Sequence, residues 1–458
     1  MNLLLAGLQL FVFAPLVGGG RSLDVSLWPG DLLFRADALN VAFGVAWTLT
    51  LALGLPVFAG PHNPVSMKQA GLFGLTSIGL LVMAYARQPL LFLLGWEVVG
   101  LSLWLLLQSV GWPGNLRRAA VAIHLPGLLL LLVIFIDPLG PFAPPQGGAA
   151  VAWSLLATLT MGAVVLVRCG YWFVTGWQQS FPSQALFCVC LDMLAAPFLL
   201  AKALVAAPWS DLGAWSLALM GAAALLGVLF ASLTRSVDAA LLVASSAVAS
   251  ALLGFGLAPL SPLAALGATA FLLVGALWLT MATLPYRGAL FFAQGLLCAW
   301  LVSQGALDAR YRMVAALLLP VVAFIAFRVA DRPMGDNGTG LFGSVRVIPI
   351  TCGLILLVGL VIFPQAAVEW VLRPVVSALA GGVGVPSTLQ TNWGVGLLVR
   401  SQQENVLAAL PATGIALALF LTCVLLYWLR GLARLITPTP AISRNTDNDT
   451  IALETHAE

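Results

Sequence analysis

FLLGWEVVGLSLWLLLQ, residues 92–108, is apolar enough and long enough to cross a bilayer, yet it carries one carboxylate, Glu97. An ionised acid at that depth costs roughly 2.5 to 3.5 kcal/mol on insertion scales unless it is paired, hydrated or neutral. A chain keeps such a residue for a purpose, so the stretch raises two questions together: what surrounds the acid, and what the acid does.

The rest of the chain has the same character. Apolar residues make up 61% and charged residues only 8% of the 458, with a mean hydropathy of +1.03, whereas soluble domains carry about a quarter charged residues. This composition identifies a membrane protein. The net charge of +3 is small and scattered over short loops, which excludes nucleic acid as a partner and leaves membrane lipid as the surrounding phase. Six cysteines, Cys169, Cys188, Cys190, Cys298, Cys352 and Cys423, lie in or beside apolar runs without a CxxC pair, and read as small packing residues, with no metal site expected. No haem, flavin or cluster motif is present, so no cofactor and no catalytic chemistry of the chain's own are expected.

Apolar runs fall near 2–19, 38–60, 70–86, 89–110, 116–136, 149–168, 183–206, 212–232, 238–257, 259–283, 286–304, 311–330, 344–364 and 409–430. Each spans about 30 Å of hydrocarbon, so the expected fold is an all-α polytopic membrane protein with about 13 to 14 transmembrane helices. The first run lacks a basic leader and a small-residue cleavage site, and reads as a retained helix. Residues 1–364 form the expected transmembrane core. Residues 365–408 form an extramembrane loop in which AAVEWVLRPVVSALAGG (366–382) reads as a surface helix, 409–430 a terminal transmembrane helix, and 431–458 a polar cytoplasmic tail. Between residues 60 and 300 positive loop charge collects on one side, so both termini are expected to be cytoplasmic; the expected location is a cell (inner) membrane.

Besides Glu97, ionisable side chains at depth are His124 in AAVAIHLPGLLLLL, Arg168 ending LATLTMGAVVLVR, Asp192 within ALFCVCLDMLAAPFLL, and Lys202 in LLAKAL. Intramembrane charges are functional hypotheses by default. Structural alternatives stand beside each: Arg168 and Lys202 as snorkelling residues near helix ends, His124 as a hydrogen-bonded core residue, and Glu97 and Asp192 as members of structural ion pairs.

Several of these residues sit in recognisable surroundings. LLFLLGWEVVGLSLWLLL (90–107) resembles the glutamate-bearing helix of the antiporter-like subunits of respiratory complex I and Mrp-type antiporters. RCGYWFVTGWQQSFPSQALF (168–187) is similar to that family's lysine, aromatic, Trp and Pro-Ser stretch, with Arg168 where the family has lysine. FASLTRSVDAALLVASSAVASALLGFGL (230–257) resembles the segment that opens on an acid, here Asp238, and continues as a Ser-rich helix; in FRADALN (34–40), Asp37 fits an acid that opens an early helix. The resemblance covers roughly residues 30 to 360 and implies antiporter-like inverted repeats with discontinuous helices.

It further implies a proton path through Glu97, Arg168, Asp192, His124 and Lys202, with Glu97 loading the proton beside Arg168, and with Arg310 or Arg328 at the family's terminal basic position. Arginine in place of lysine can act by charge but not hand on a proton. From 239 to 286 no Asp, Glu, Lys, Arg or His occurs, so the second half-channel reads as dismantled. Among family members, the chain is most similar to the membrane subunit of dissolved-inorganic-carbon accumulation complexes. That implies a proton- or cation-conducting subunit energising CO2/bicarbonate uptake by a zinc-containing partner of carbonic-anhydrase type. A divergent complex I or Mrp-type pumping or antiporter subunit, a non-conducting membrane anchor, and a stand-alone transporter of a small solute remain open.

Overall fold

The computed structural model describes residues 2–18, 23–26, 33–58, 65–112, 114–136, 150–179, 181–206, 211–233, 237–257, 272, 389–392, 396–400 and 407–410. Their helices are α1 (Asn2–Gly18), α2 (Ala38–Phe58), α3 (Met67–Tyr85), α4 (Pro89–Ser109), α5 (Leu116–Ile136), α6 (Ala150–Gln178), α7 (Ser183–Ala195), α8 (Phe198–Ala206), α9 (Asp211–Leu233) and α10 (Ala239–Leu257). Six spans among them are long and apolar enough to cross a membrane. The molecule is a polytopic helical membrane protein, and the first nine apolar runs each coincide with a helix or, for 183–206, with the broken pair α7 and α8. Apart from Leu272, the runs between 259 and 364, Arg310, Arg328, the surface helix at 366–382, all but the first two residues of the terminal run 409–430, the tail 431–458, and with them the second of the expected repeats, lie outside the described residues.

Two small sheets accompany the helices. Strands β1 (Leu23–Ser26) and β2 (Leu33–Ala36) form an antiparallel hairpin in the register Leu23 with Ala36, and Phe34 bridges Ala86 at the α3–α4 junction. Within the stretch expected as a long loop, and reaching two residues into the expected terminal helix, β3 (Leu389–Asn392), β4 (Gly396–Arg400) and β5 (Leu407–Leu410) make an antiparallel sheet in that order. Strands satisfy one another's backbone groups where no helix does so.

Close helix packing rests on small residues. A Cβ on Gly95 of α4 would stand 2.7 Å from the Met83 nitrogen and 2.8 Å from the Gly79 oxygen of α3, so only glycine permits this crossing. Thr76 of α3 and Ser102 of α4 share a hydrogen bond of 2.8 Å across the same interface. In membranes, where the hydrophobic effect between helices is absent, such van der Waals contact and interhelical bonding hold the bundle. An aromatic core runs from Phe43 and Trp47 of α2 through Phe198 of α8, with ring centroids 4.6 and 4.9 Å apart, to Phe92 and Trp96 of α4.

The break between α7 and α8 follows from Pro197. Proline has no N–H and clashes with the carbonyl four residues back. Here that carbonyl belongs to Met193, and it takes the Cys169 thiol of α6 as its donor at 3.5 Å. The chain resumes as a helix after two tight bonds, Leu199 N–H to Ala196 O and Leu200 N–H to Pro197 O.

Candidate functional site: two charge pairs at mid-span

Glu97 lies eight residues into α4, about 12 Å along its axis, near the middle of the span. It faces α5. His124 Nδ1 stands 2.5 Å from Glu97 Oε2, and both side chains are about one third exposed. The other oxygen, Oε1, is buried with no hydrogen-bond partner. It lies against Gly127, where any Cβ would overlap it. Gly127 follows His124 by three residues and so shares its helix face, while Pro126 stands between them inside α5. The acid therefore fits into a notch that the sequence HLPG creates.

Arg168 is placed differently from the sequence expectation. The apolar run ends at Arg168, but α6 continues ten residues to Gln178, so the side chain belongs to the interior of a helix. It does not snorkel, being 2% exposed. Nor does it bond to Glu97, the partner expected for it. Its Nε donates to both Oδ1 and Oδ2 of Asp192 at 3.0 Å, and Nη2 donates to Oδ1 as well. Trp172, one turn further along α6, donates its indole N–H to Asp192 Oδ2 at 2.8 Å. The physical reason is geometric: Arg168 and Trp172 at i, i+4 present donors on one face, and Asp192, 1% exposed on α7, offers both oxygens to that face.

The two pairs are neighbours nonetheless. The Arg168 guanidinium stacks on Trp96, the residue before Glu97, with its carbon 4.1 Å from the ring centroid. Gly100, one turn on from Glu97, lies between them: a Cβ there would be in ordinary contact with Arg168 Nη2 at 3.5 Å and His124 Cε1 at 3.7 Å, and would crowd Ile123 Cγ2 of α5 at 2.5 Å. Arg168 Nη1 and the Trp96 indole nitrogen, like Glu97 Oε1, are buried without partners. Unsatisfied polar atoms at such a junction are places where water or a mobile proton can be accommodated.

Lys202 is apart from this group. It is 9% exposed, donates from Nζ to the Ala86 carbonyl at 3.0 Å, and lies 5.5 Å from the Phe198 ring centroid. It too turns inward instead of snorkelling. Asp37 and Asp238, singled out in the sequence, stand at helix starts: Asp37 Oδ1 accepts the Asn40 N–H at 2.9 Å and caps α2, and the Asp238 carbonyl accepts the Leu242 N–H at the start of α10. Of the six expected path residues the structure joins Glu97 with His124 and Arg168 with Asp192, leaves Lys202 separate, and does not reach Arg328. Trp96 belongs to the Trp-Glu element on which the resemblance rests, while Gly100, Gly127 and Trp172 complete the site without having been singled out. The i, i+4 spacing of Arg168 and Trp172, and the i, i+3 spacings of Glu97 with Gly100 and of His124 with Gly127, were the available signals. Among the described residues no group of His, Cys, Asp or Glu side chains is arranged to hold a metal ion.

Known structures share this arrangement of helices. A chain of the Mrp complex from Dietzia sp. DQ12-45-1b superposes with a TM-score of 0.63 at 14% identity, over 99% of the present chain and 58% of that chain. A chain of respiratory complex I from Thermus thermophilus with bound NADH matches with a TM-score of 0.60 at 17% identity, over 84% of the present chain and all of that one, 100%. The same complex with bound Aureothin gives 0.57 at 17% identity, over 80% and 92%. The fold is the one these membrane complexes use. The present chain spans little more than half the length of the Mrp chain. No family model matches it, and no curated protein does.

Proposed function

We propose that the chain is a proton-conducting membrane subunit in which the Glu97–His124 pair takes up and releases the proton. One observation carries this reading: at mid-span, a carboxylate and an imidazole stand 2.5 Å apart, with the second carboxylate oxygen buried and unbonded. Imidazole is the side chain whose charge changes nearest neutrality, and a short contact to a carboxylate gives one proton two places to reside. Arg168 acts as a permanent positive charge beside this pair. It stacks on Trp96 and is anchored by Asp192, so it biases the occupancy of Glu97 without transferring a proton itself. Asp192 holds Arg168 in place.

The likeness to chains of the Mrp complex and of complex I supports a role inside a hetero-oligomeric membrane assembly. Within that class, we assign the chain to inorganic carbon uptake, energising a peripheral zinc partner of carbonic-anhydrase type by cation flow. The replacement of lysine by Arg168 and the ion-free stretch 239–286 support a simplified path in preference to a complete pumping relay. The charges of the two membrane faces support an orientation in a cell membrane with the termini cytoplasmic. Among the described residues, the hairpin end balances Arg35 and Arg87 against Asp24, Asp37 and Asp211, whereas the opposite end carries Lys68, Arg117 and Arg118 against Asp238.

A second reading, a non-conducting anchor, is favoured by the Arg168–Asp192 pair, in which both carboxylate oxygens accept hydrogen bonds. Proteoliposomes loaded with a pH-sensitive dye separate the two. Glu97→Gln abolishes proton flux while the protein purifies with its partner if the first reading holds; unchanged flux in that variant, or loss of the partner with flux intact, sinks it. Metal analysis of the purified complex tests the carbonic-anhydrase assignment, which predicts bound zinc in the partner.

A further inference from the structure

A groove of about 320 Å³ opens on the outside of the bundle where the β1–β2 hairpin meets α3. Its walls include Leu23, Val25 and Phe34 of the hairpin and Ile78, Val82 and Tyr85 of α3. The Tyr85 hydroxyl donates to Gln9 Oε1 at 2.7 Å, so what the groove offers an occupant is hydrocarbon. Leu23, Val25 and Ile78 are 40%, 41% and 55% exposed, which leaves the groove open along its length. Ile78, Val82 and Tyr85 follow one face of α3 and extend about 10 Å from the hairpin toward mid-span.

Charged groups stand at the hairpin end of this groove. Arg87, two residues past Tyr85, donates from Nη1 to Asp24 Oδ2 at 3.2 Å, and Arg35 Nε lies 4.0 Å from Asp24 Oδ1 and 3.6 Å from Asp37 Oδ2. Asp24 and Arg35 are cross-strand partners, so the pleat turns them to the face of the hairpin opposite Leu23, Val25 and Phe34. The hairpin is therefore apolar toward the groove and charged on its other side. Two arginines against Asp24 and Asp37 make the cluster neutral as a whole, and its exposed members are Arg87, Asp24 and Arg35 at 48%, 41% and 38%. Along the bundle, polarity thus runs from an exposed cation beside an exposed anion to a strip of apolar side chains.

We propose that the groove and the Arg87–Asp24 pair form a binding site for one phospholipid whose headgroup carries a phosphate and a primary ammonium. One acyl chain lies between the hairpin and α3, the phosphate meets the Arg87 guanidinium, and the ammonium meets Asp24. A guanidinium matches phosphate with its planar fork of donors, and a carboxylate oxygen has lone pairs for more than one donor. The order of groups in such a lipid, headgroup at the membrane face and chain running inward, is the order of residues from Arg87 through Tyr85 to Ile78. The neutrality of the cluster favours a zwitterion over an anionic headgroup, and the carboxylate favours an ammonium that can donate hydrogen bonds over a trimethylated one. This site stands apart from Glu97 and His124 and is independent of the conducting role.

Native mass spectrometry of the full chain in detergent, titrated with dioleoyl phosphatidylethanolamine, phosphatidylcholine or phosphatidylglycerol, tests the site. One phosphatidylethanolamine per chain is expected to bind about 10-fold more tightly than either of the others, the scale of one hydrogen bond to a charged group. Arg87→Gln should weaken it by a similar factor, and Ile78→Trp, which fills the groove from its exposed side, should remove it. Neither change should move the unfolding midpoint measured without lipid, because an exposed ion pair contributes little to stability. Wild-type lipid binding in Ile78→Trp overturns the site, and that variant decides the matter if Arg87→Gln does not fold. Equal binding of the three lipids overturns the headgroup assignment. Full competition by glycerophosphoethanolamine, the same headgroup without chains, overturns the role of the groove, as does a photo-cross-linker at position 78 that captures a partner's helix in place of lipid.

Discussion

Two acid–base pairs stand side by side at mid-span, and they are built for opposite purposes. Asp192 receives donors from Arg168 Nε, Arg168 Nη2 and the Trp172 indole, and both charged side chains are almost fully buried. Glu97 has one short contact, to His124, and one oxygen without a partner. Number of bonds, not charge, separates a clamp from a store. A carboxylate saturated by a permanent cation has no reason to change state, while one bonded to an imidazole shares its proton with a group that can also carry it.

The sharpest way to break this contrast is to remove the clamp. Arg168→Met leaves Asp192 as an uncompensated buried charge, and is expected to cost about 3 to 5 kcal/mol of stability, read as a lower unfolding midpoint in detergent. The double variant Arg168→Met with Asp192→Leu should recover much of that loss, because it is the unpaired charge that is expensive. A destabilisation that the double variant does not relieve would mean the pair is not acting as a clamp. Gly127→Ala comes next. Its methyl group must displace Glu97 Oε1, at about 1 to 3 kcal/mol for overpacking, and proton flux should fall even though no titratable group is changed. Flux at the wild-type rate would show that Glu97 does not need the notch.

Thr76→Val deletes the hydrogen bond to Ser102 and should cost about 1 kcal/mol, with flux unaltered; it is the control for general loosening of the α3–α4 contact. Glu97→Gln has the smallest expected effect on stability, below about 1 kcal/mol, because an amide still offers His124 an oxygen and Oε1 is already unbonded. If thermal unfolding instead falls as far as in Arg168→Met, the two pairs are both structural and the contrast disappears.

Much of the bundle was legible from hydrophobic run length alone, since each described span needs about 20 apolar residues and the polar breaks between them are short. The depth of Glu97, Asp192 and Lys202 was legible for the same reason. Pairing was not. Sequence distance says nothing about which of two helices a long side chain crosses to, and the end of an apolar run was a poor guide to the end of α6, whose last turns carry Tyr171, Trp172 and Trp177. Those aromatic residues extend the helix past Arg168 and convert it from a candidate headgroup contact into a core residue. The hairpin was hidden too, as the four-residue strands β1 and β2 are too short to impose a clear alternation on the sequence.

The interruption at Pro197 has a mechanical consequence. It makes α7 and α8 two levers on one pivot: through Asp192 the first is tied to α6, and through Lys202 the second is tied to the Ala86 carbonyl, between α3 and α4. The discontinuity therefore separates the two attachments, so that α6 holds the chain on one side of it and the α3–α4 junction holds it on the other.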